Sequence, residues 1–370
     1  MSNTERDPQQ QVLTEPGPAA GELSPGIRDG VNGVALLEPR HVPLGGPRAM
    51  NVRRTLPQRA RSLVGAWCFL DFYGPDEVSE TGGMMVARHP HTGLATVSWL
   101  FTGRINHIDS AGHWATVRPG DAVFMNAGRG ITHSEITTED TTILHGAQLW
   151  YAFPERNRFV EPSLDVHRPE PVNGDGWTAR VFAGELLGVT SPLGTMAPIS
   201  GAELRLEPGA RLEIDVPEGH EHALLRVQGE LSLNATAVPE DHLAVIDTGH
   251  RTLAVEAGDE PVLALLIGGE PLGEEIIMWW NFIGRTHEEI EGYRAAYQAE
   301  MGFEPPPADS PLPGRADALG EPVDGHLYDV HRGSTYDDGR PFPQFGTFPP
   351  DQPAPIPAPP LPTTRLRPRR

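Results

Sequence analysis

The feature that most constrains the fold of this chain is a long series of short strand-like runs separated by turn signals. From "VALLEPRHV", which begins at Val34, to about Pro154, apolar runs of strand length alternate with turn sequences such as "YGPD", "FTGR", "DSAG" and "RPGD". A second stretch, from about Trp177 to Gly268, alternates in the same manner. Short strands at regular spacing with turns between them are typical of β-sandwiches and barrels, so we predict an all-β protein with two β-barrels.

The turn sequences indicate how the strands are connected. In Arg118-Pro119-Gly120-Asp121, proline fixes φ at the second turn position and glycine tolerates the positive φ that a type II turn requires at the third. This turn should return the next run, "AVFMNAG", to the barrel.

Two pairs of chemically active side chains lie within these strand-like runs. His89 and His91 stand two residues apart in "ARHPHTGLATVSW", and His133 and Glu135 repeat the spacing in "GRGITHSEITT". Residues at i and i+2 share one face of a strand, so each pair can reach one ion. Three imidazoles and one carboxylate suit iron, manganese, nickel, copper or zinc, and octahedral coordination would leave two positions open for chemistry. The alternative is that each pair is only polar surface at a strand edge.

A weaker histidine pattern occurs in the second β-rich stretch. His220 and His222 also have i, i+2 spacing, but His250 lies in the turn "TGHR" and no acidic residue follows it two positions later. A stable site needs three or more protein ligands in suitable geometry. We therefore expect the second barrel to hold no metal.

Composition and charge limit the classes of function. The chain has 370 residues, enough for two domains, and its 29 basic against 50 acidic side chains give a net charge of −21. This balance argues against a surface that neutralises nucleic-acid phosphates. Lysine is absent, which excludes Schiff-base chemistry, and the one cysteine, Cys68, permits no disulfide within the chain.

The two ends of the chain differ in composition from the β-rich stretches. Residues 1–34 are rich in Pro, Gly, Gln and Glu and are predicted to form a flexible leader. They lack the basic start and apolar run of a signal peptide, and the chain has no apolar stretch approaching about 18 residues. We expect a soluble, cytoplasmic protein with no membrane contact.

A single helix is predicted after the second β-rich stretch. Thr286-His-Glu-Glu289 reads as a capping box, and Ile290, Tyr293, Tyr297 and Met301 then recur at steps of three and four residues. This pattern predicts a short amphipathic helix that packs against a barrel. Residues 302–370 are Pro-rich and are predicted to be a largely disordered tail.

Several long motifs give the chain a family resemblance. The strings "HPHTGLATVSWLFTGRINHIDSAGH", "VRPGDAVFMNAGRGITHSE" and "HGAQLWYAFP" resemble the pirin family, whose members are two-domain cupins. With "GAWCFLDFYGP" upstream and "IGGEPLGEEIIMWWNFIGRTHEEIEGYRAAYQ" downstream, the resemblance covers roughly residues 35 to 301. The chain departs from the usual family pattern at Thr92, Leu94 and Ala95, which concerns substrate choice rather than the ligand set.

The resemblance implies a domain plan and a ligand set. It implies an N-terminal metal-binding cupin over residues 35–154 and a C-terminal cupin with its closing helix over 155–301, the latter without metal. It implies one iron ion, held by His89, His91, His133 and Glu135. His107, in "RINHID", is a candidate for holding a ligand in orientation. An ordinary polar strand residue is the alternative.

The resemblance also implies two alternative functions. Some family members cleave the flavonol quercetin oxidatively, so we expect a dioxygenase acting on a small aromatic substrate and O₂, with Glu135 completing the metal site or taking a proton from the flavonol hydroxyl. Other members are non-enzymatic regulators that bind a transcription factor or a metabolic enzyme, with iron serving stability or redox sensing. On the first hypothesis, an apolar substrate cavity could be walled by Trp99, Phe101, Phe124 and Met125, for which core packing is the alternative.

Overall fold

The protein is described from a computed structural model over residues 27–30, 32–44, 50–305, 345–346, 348–349 and 352–368. No helix within these ranges has the length and apolar character needed to cross a membrane. The strands of the N-terminal half are β3 Arg40–Leu44, β4 Met50–Leu56, β5 Trp67–Glu77, β6 Met85–His91, β7 Leu94–Thr102, β8 Ile105–Asp109, β9 Trp114–Val117, β10 Ala122–Asn126, β11 Ile131–Thr137, β12 Ile143–Ala152 and β13 Ser163–His167.

These strands form the first barrel from two facing antiparallel sheets. A seven-stranded sheet has the order β13-β10-β7-β12-β5-β4-β3, and a four-stranded sheet has the order β6-β11-β8-β9. The predicted turn at Arg118 is confirmed, since Gly120 has a φ of +79° and Asp121 N donates to Arg118 O at 2.9 Å. A short helix, α1 (Val78–Thr81), follows β5, and a 3₁₀ turn (Glu155–Asn157) follows β12.

The second barrel has the same two-sheet plan. Its strands, with the two that precede the first barrel in the chain, are β1 Ile27–Asp29, β2 Val34–Leu37, β14 Val172–Gly174, β15 Trp177–Ala183, β16 Glu185–Leu186, β17 Val189–Thr190, β18 Ile199–Leu206, β19 Arg211–Asp215, β20 Glu221–Gln228, β21 Leu231–Leu233, β22 Thr236–Val238, β23 Leu243–Ile246, β24 Thr252–Ala257 and β25 Val262–Gly269. An eight-stranded sheet has the order β1-β2-β23-β20-β25-β18-β15-β14 and faces a four-stranded sheet, β19-β24-β21-β22. The all-β, two-barrel prediction is confirmed.

The structure differs from the predicted domain boundary at the start of the chain. β1 and β2 lie within or next to the segment predicted as a leader, residues 1–34, yet β2 pairs with β23, with Val34 opposite Ile246. The first strands therefore belong to the edge of the second barrel, not to the first. Residues 1–26 of the predicted leader lie outside the described residues.

The two barrels pack through the outer faces of their large sheets. β7 is buried on both faces because one face lines the first barrel and the other meets the second barrel. Two indoles cross this interface: Trp67 Nε1 donates to Gly268 O at 3.0 Å, and Trp99 Nε1 donates to Glu203 Oε2 at 2.9 Å. A buried indole N–H needs such a partner, so these bonds help fix how the barrels dock.

The predicted helix is present as α2 (His287–Glu300). Its predicted N-cap is confirmed, because the Thr286 side chain accepts from Glu289 N at 3.2 Å, and the Glu289 carboxylate accepts from the backbone N of Arg285 at 2.7 Å. The helix packs on the hairpin of β26 (Ile277–Trp279) and β27 (Phe282–Gly284), and its buried side chains form one cluster with that hairpin. The same hairpin contacts the first barrel, where Ile283 N donates to Thr92 O at 3.1 Å. The closing helix, predicted to belong with residues 155–301, therefore lies against the first barrel.

The described parts of the tail are packed, although its Pro-rich composition predicted a largely disordered segment over residues 302–370. Phe345, Ala358 and Leu366 are buried and join the cluster around α2. Their burial shows why composition misled: a Pro-rich segment cannot form its own core, but it can cover apolar side chains on an existing one. Residues 306–344 lie outside the described ranges.

A buried ion pair between β4 and β5 supports one prediction about stability. Arg54 donates through Nε and Nη2 to the two carboxylate oxygens of Asp71, at 2.6 and 2.8 Å, and the side chains are 3% and 0% exposed. Asp71→Asn would leave a buried guanidinium without its counter-charge, at a cost of roughly 3–5 kcal/mol. We expect the midpoint of thermal unfolding to fall by roughly ten degrees, since about 1 kcal/mol shifts it by 2–4 °C in domains of 150–250 residues.

The control for this prediction is an exposed ion pair. Glu256→Gln removes one of the two acidic partners of Arg211 on the second barrel, where these side chains are well exposed, and should leave the midpoint unchanged. Equal effects of the two substitutions would contradict the role given to the Arg54–Asp71 pair.

Candidate metal centre

The four residues predicted as ligands lie on adjacent strands of the small sheet of the first barrel. His89 and His91 are on β6, and His133 and Glu135 are on β11. His133 lies directly opposite His89, and an irregularity in the pairing follows between His133 and Glu135. All four side chains are 0% exposed. The strand pairing thus brings chain segments some forty residues apart into two overlapping inward-facing groups, one of His89, His91 and His133 and one of His107, His133 and Glu135.

Three imidazoles converge through their Nε2 atoms. His91 Nε2 lies 3.1 Å from His89 Nε2 and 3.1 Å from His133 Nε2. The His89 ring is oriented by the contact of its Nδ1 with Ala87 O at 2.8 Å. Since the carbonyl can only accept, Nδ1 of a neutral His89 carries the hydrogen and its Nε2 presents a lone pair to the cluster.

The burial of these rings favours their neutral forms. Burial lowers the pKa of His89 to about 3. The pKa values of His91 and His133 are lowered well below the ordinary value, first by burial and then by the neighbouring imidazoles. Neutral imidazole is the form that binds metal ions, so the site requires no deprotonation at neutral pH.

The geometry of the donor set fits a metal ion. His91 Nε2 contacts two other ring nitrogens but can carry at most one hydrogen, so it cannot donate to both. A cation between the three rings would instead accept a lone pair from each of them. Two nitrogens bound at about 2.1 Å and at right angles around one ion lie about 3.0 Å apart. The observed spacing of 3.1 Å matches that arrangement.

Glu135 lies beside the imidazole cluster and is held by a polar chain. One carboxylate oxygen of Glu135, one ring nitrogen of His133 and one ring nitrogen of His107 lie within 4.8 Å of one another. Ser98 Oγ lies 3.0 Å from Glu135 Oε1 and 3.0 Å from Gln148 Oε1. The hydroxyl has one hydrogen, so both contacts are satisfied when the Gln148 amide is turned to donate to Ser98 and Ser98 donates to the carboxylate.

His107 has the position expected of a residue that orients a ligand. It lies on β8 directly opposite Glu135, and its Nδ1 is 3.3 Å from His133 Nδ1. Its Nε2 is 3.4 Å from Asp109 Oδ2, and the same carboxylate accepts from the backbone N of Ala111 at 2.9 Å. A ligand histidine whose second nitrogen meets an anchored partner is held in orientation.

The four residues predicted to wall the substrate cavity lie on two different faces of their strands. Trp99, Phe101 and Phe124 belong to the cluster between the barrels, so the prediction that they wall a cavity over the metal is wrong. The reason is strand alternation: Ser98 points to Glu135 on β11, so Trp99 points away from it. Met125 packs on the opposite side, with Ala127 and Ile131.

Another aromatic residue, Trp150, contacts the histidine cluster. The Trp150 ring lies edge-on to His91, with centroids 4.9 Å apart, and stacks on Phe69 at 4.0 Å. The guanidinium of Arg54 lies over the other side of this stack, 4.4 Å from the Phe69 centroid. The ion pair described above therefore supports the aromatic wall behind His91.

The three histidines of the second barrel do not make an equivalent cluster. Among the described residues, the groups able to offer three metal-binding atoms within 4.8 Å are His89 with His91 and His133, and His107 with His133 and Glu135. His220 and His222 stack with centroids 6.2 Å apart. His222 is buried, and burial lowers its pKa to about 4.

Sequence analysis missed Ser98, Gln148, Trp150 and Asp109. A serine, an amide or an indole in a strand carries no motif of its own. The available signal was the alternation of side chains along a strand. Ser98 on β7 lies opposite Gln148 on β12, and both side chains face the metal-bearing sheet. Strand pairing, which single-sequence patterns do not give, was needed to use it.

Fold and site together define a bicupin with one candidate metal centre, and comparison with known proteins identifies its family. The Pirin family model matches residues 49–151, and the Pirin C-terminal cupin domain model matches residues 201–303. The chain is 36% identical over 260 residues to the Pseudomonas aeruginosa protein named "Putative quercetin 2,3-dioxygenase PA1205", covering 70% of this chain and 82% of that protein. The chain belongs to the pirin family.

Solved structures agree with this fold. Quercetin 2,3-dioxygenase from Acinetobacter baumannii is similar with a TM-score of 0.74 and 29% identity, covering 90% of this chain and 97% of that one. The bacterial pirin YhhW from Escherichia coli, solved in complex with nickel(II), has a TM-score of 0.52 and 19% identity and covers 64% of this chain and 98% of that one. At that identity the second likeness shows the fold alone.

Proposed function

We propose that this pirin is a metal-dependent dioxygenase that cleaves a flavonol such as quercetin with O₂. The observation that carries the proposal is the convergence of three buried, neutral imidazoles at 3.1 Å spacing beside a buried carboxylate, Glu135. The similarity to the Acinetobacter baumannii quercetin 2,3-dioxygenase over nearly its whole length supports the choice of reaction.

His89, His91 and His133 would hold the ion, and Glu135 completes its shell or detaches to act as a base. Bound iron, manganese, nickel or copper would supply a Lewis-acidic, redox-active centre with open positions for substrate and O₂. Glu135 would then accept the flavonol hydroxyl proton. The Ser98 hydrogen bond to Glu135 Oε1 keeps the carboxylate aimed at the cluster.

We propose iron as the metal because the resemblance to the pirin family implies an iron ion. The donor set is equally suited to manganese, nickel, copper or zinc, and supply in the cell often decides which is bound. YhhW was solved with nickel, so the first reconstitution should compare iron with nickel.

The test is quercetin-dependent O₂ consumption by the metal-loaded full chain beside a metal-stripped sample. We expect turnover only with metal, and consumption of O₂ in step with loss of quercetin. Metal occupancy is measured in the same samples. A filled site without turnover on quercetin or related flavonols would contradict the dioxygenase and leave the alternative, an iron-binding regulator that acts on a protein partner.

A further inference from the structure

We propose that the C-terminal segment, the described parts of residues 345–368, is a positioning element for the metal centre that ties its two ligand strands together from outside the barrel. This inference rests on the proposed metal site. The segment lies beyond the match to the Pirin C-terminal domain, which ends at residue 303. Nothing in the family match therefore accounts for its packing against the first barrel.

The tie is made by the backbone of Phe345. Its carbonyl oxygen accepts from Thr132 Oγ1 at 2.7 Å and from Arg88 Nη2 at 3.3 Å. Arg88 Nε in turn donates to Thr132 Oγ1 at 2.9 Å. Arg88 immediately precedes His89 on β6, and Thr132 immediately precedes His133 on β11, so one carbonyl bridges the two strands at the ligands.

The side chain of Phe345 fixes this carbonyl in place. It is 0% exposed, and its ring lies 5.3 Å from Tyr297 and 6.0 Å from Phe282, measured between centroids. Its backbone N donates to the Glu300 carboxylate at 3.1 Å. Phe345 thus joins α2, β27 and the two ligand strands at one point.

A second contact to the same strand comes from further along the tail. Ile356 N donates to Arg88 O at 2.9 Å, and Ile356 O accepts from Tyr297 Oη at 2.6 Å. The Gly346 carbonyl also accepts from Arg88 Nη2, and Arg88 lies over the Phe348 ring at 4.8 Å. Residues of the C-terminal segment therefore surround Arg88 on several sides.

The rest of the segment is anchored along α2. The anchoring bonds are Ala358 N to Gln298 Oε1 at 2.8 Å, Arg294 Nε to Pro359 O at 2.7 Å and Leu366 N to His287 Nδ1 at 3.1 Å. Main-chain bonds at intervals along an extended Pro-rich segment are how such peptides dock into aromatic-lined grooves. The occupant of this groove is the chain's own C-terminus.

Docking of this kind should affect metal retention. Arg88 and Thr132 bond outward to the tail, whereas their neighbours His89 and His133 point inward, because side chains alternate along a strand. A metal centre requires its ligands to be held within about 0.5 Å, and outer hydrogen-bond partners typically change metal affinity 10–100-fold. Tail docking should accordingly raise metal affinity and so slow metal loss, and bound metal should stabilise the docked tail by the same coupling free energy.

The experiment uses nickel(II)-loaded full-length protein and follows transfer of the metal to excess chelator. Thr132→Val removes the hydroxyl that donates to Phe345 at nearly constant volume, and we expect metal loss about tenfold faster. Thr132→Ser keeps the hydroxyl and should restore the original rate. Phe345→Ala should match or exceed Thr132→Val. The matched control is Thr178→Val, which removes a hydroxyl that donates to Asn173 on the second barrel and should not change the rate.

A second measurement needs no substitution. Hydrogen exchange at the amides of Ile356, Ala358 and Leu366 is compared in metal-free and nickel-loaded unmutated protein, and we expect about tenfold slower exchange with metal. Unchanged exchange, together with unchanged metal loss in Thr132→Val, would overturn this inference while leaving the metal site in place. Failure of the unmutated protein to bind nickel, or retention of nickel by His91→Ala, would overturn the proposed metal site and this inference with it.

Discussion

His91→Ala is expected to abolish metal binding by the full chain, with occupancy near zero after dialysis against a slight excess of iron or nickel. His91 Nε2 is the middle atom of the cluster, 3.1 Å from the corresponding atoms of both His89 and His133. Removing it leaves two imidazoles and one carboxylate around a void. Losing an outer hydrogen-bond partner typically costs 10–100-fold in metal affinity, so losing a direct ligand should cost more.

The matched control for His91→Ala is His220→Ala. His220 also belongs to an i, i+2 histidine pair, but it lies just before β20 in the second barrel, outside the clusters that can hold a metal among the described residues. Metal content should be the same in His220→Ala and in the unmutated chain. Equal loss in the two variants would show that the assignment of ligands to the first barrel is wrong.

The grouping of the candidate ligands on shared strand faces could be predicted because the relevant signal is local. The spacing of His89 and His91, repeated by His133 and Glu135, places each pair on one strand face whatever the rest of the fold does. The capping box at Thr286 is local in the same sense. The opposition of His133 and His89 across two strands was not available from spacing, and the family resemblance implied only that all four residues hold one ion.

The parts that sequence analysis did not predict depend on contacts between distant residues. Val34 pairs with Ile246, far along the chain, so a segment that looked like part of a leader joins the second barrel. Phe345 is buried against Tyr297 although its neighbours are proline-rich. Trp99 was placed on the wrong face because the apolar positions of "TVSWLF", Val97, Trp99 and Phe101, would line the interior of an isolated barrel, whereas here they meet the second barrel.

These long-range contacts give the two ends of the chain reciprocal roles. The first strands complete the second barrel, and the last helix and the tail close around the metal-bearing sheet of the first barrel. Each barrel is thus completed by residues that lie outside its own stretch of sequence. The candidate metal centre is in consequence surrounded by segments from both halves of the molecule, and the histidine cluster is only its innermost layer.

Within that layer, Glu135→Gln is expected to lower quercetin turnover by roughly 10²–10⁴-fold at saturating metal, the range typical of a lost general base. The substitution keeps the size of the side chain and an oxygen able to accept from Ser98 Oγ, which lies 3.0 Å from Glu135 Oε1. It removes the negative charge and the capacity to take a proton. The three imidazoles should still hold the ion, with weaker affinity, so turnover is measured where occupancy is shown to be complete.

The control is a second buried glutamate with no contact to the cluster. Glu203 is 3% exposed and accepts from Trp99 Nε1 at the barrel interface, and a glutamine there still offers an accepting oxygen. Glu203→Gln should keep full turnover, which separates the loss of a base at the metal from the general effect of neutralising a buried carboxylate. If Glu135→Gln turned over quercetin as fast as Glu203→Gln with the site filled, Glu135 would be a ligand or a structural residue, and the proton would have to leave by another group.

Ser98→Ala then distinguishes the remaining possibilities. With Glu135 as base, loss of the Ser98 hydrogen bond should slow turnover about tenfold without emptying the site. The reason is that the carboxylate is no longer held toward the substrate hydroxyl.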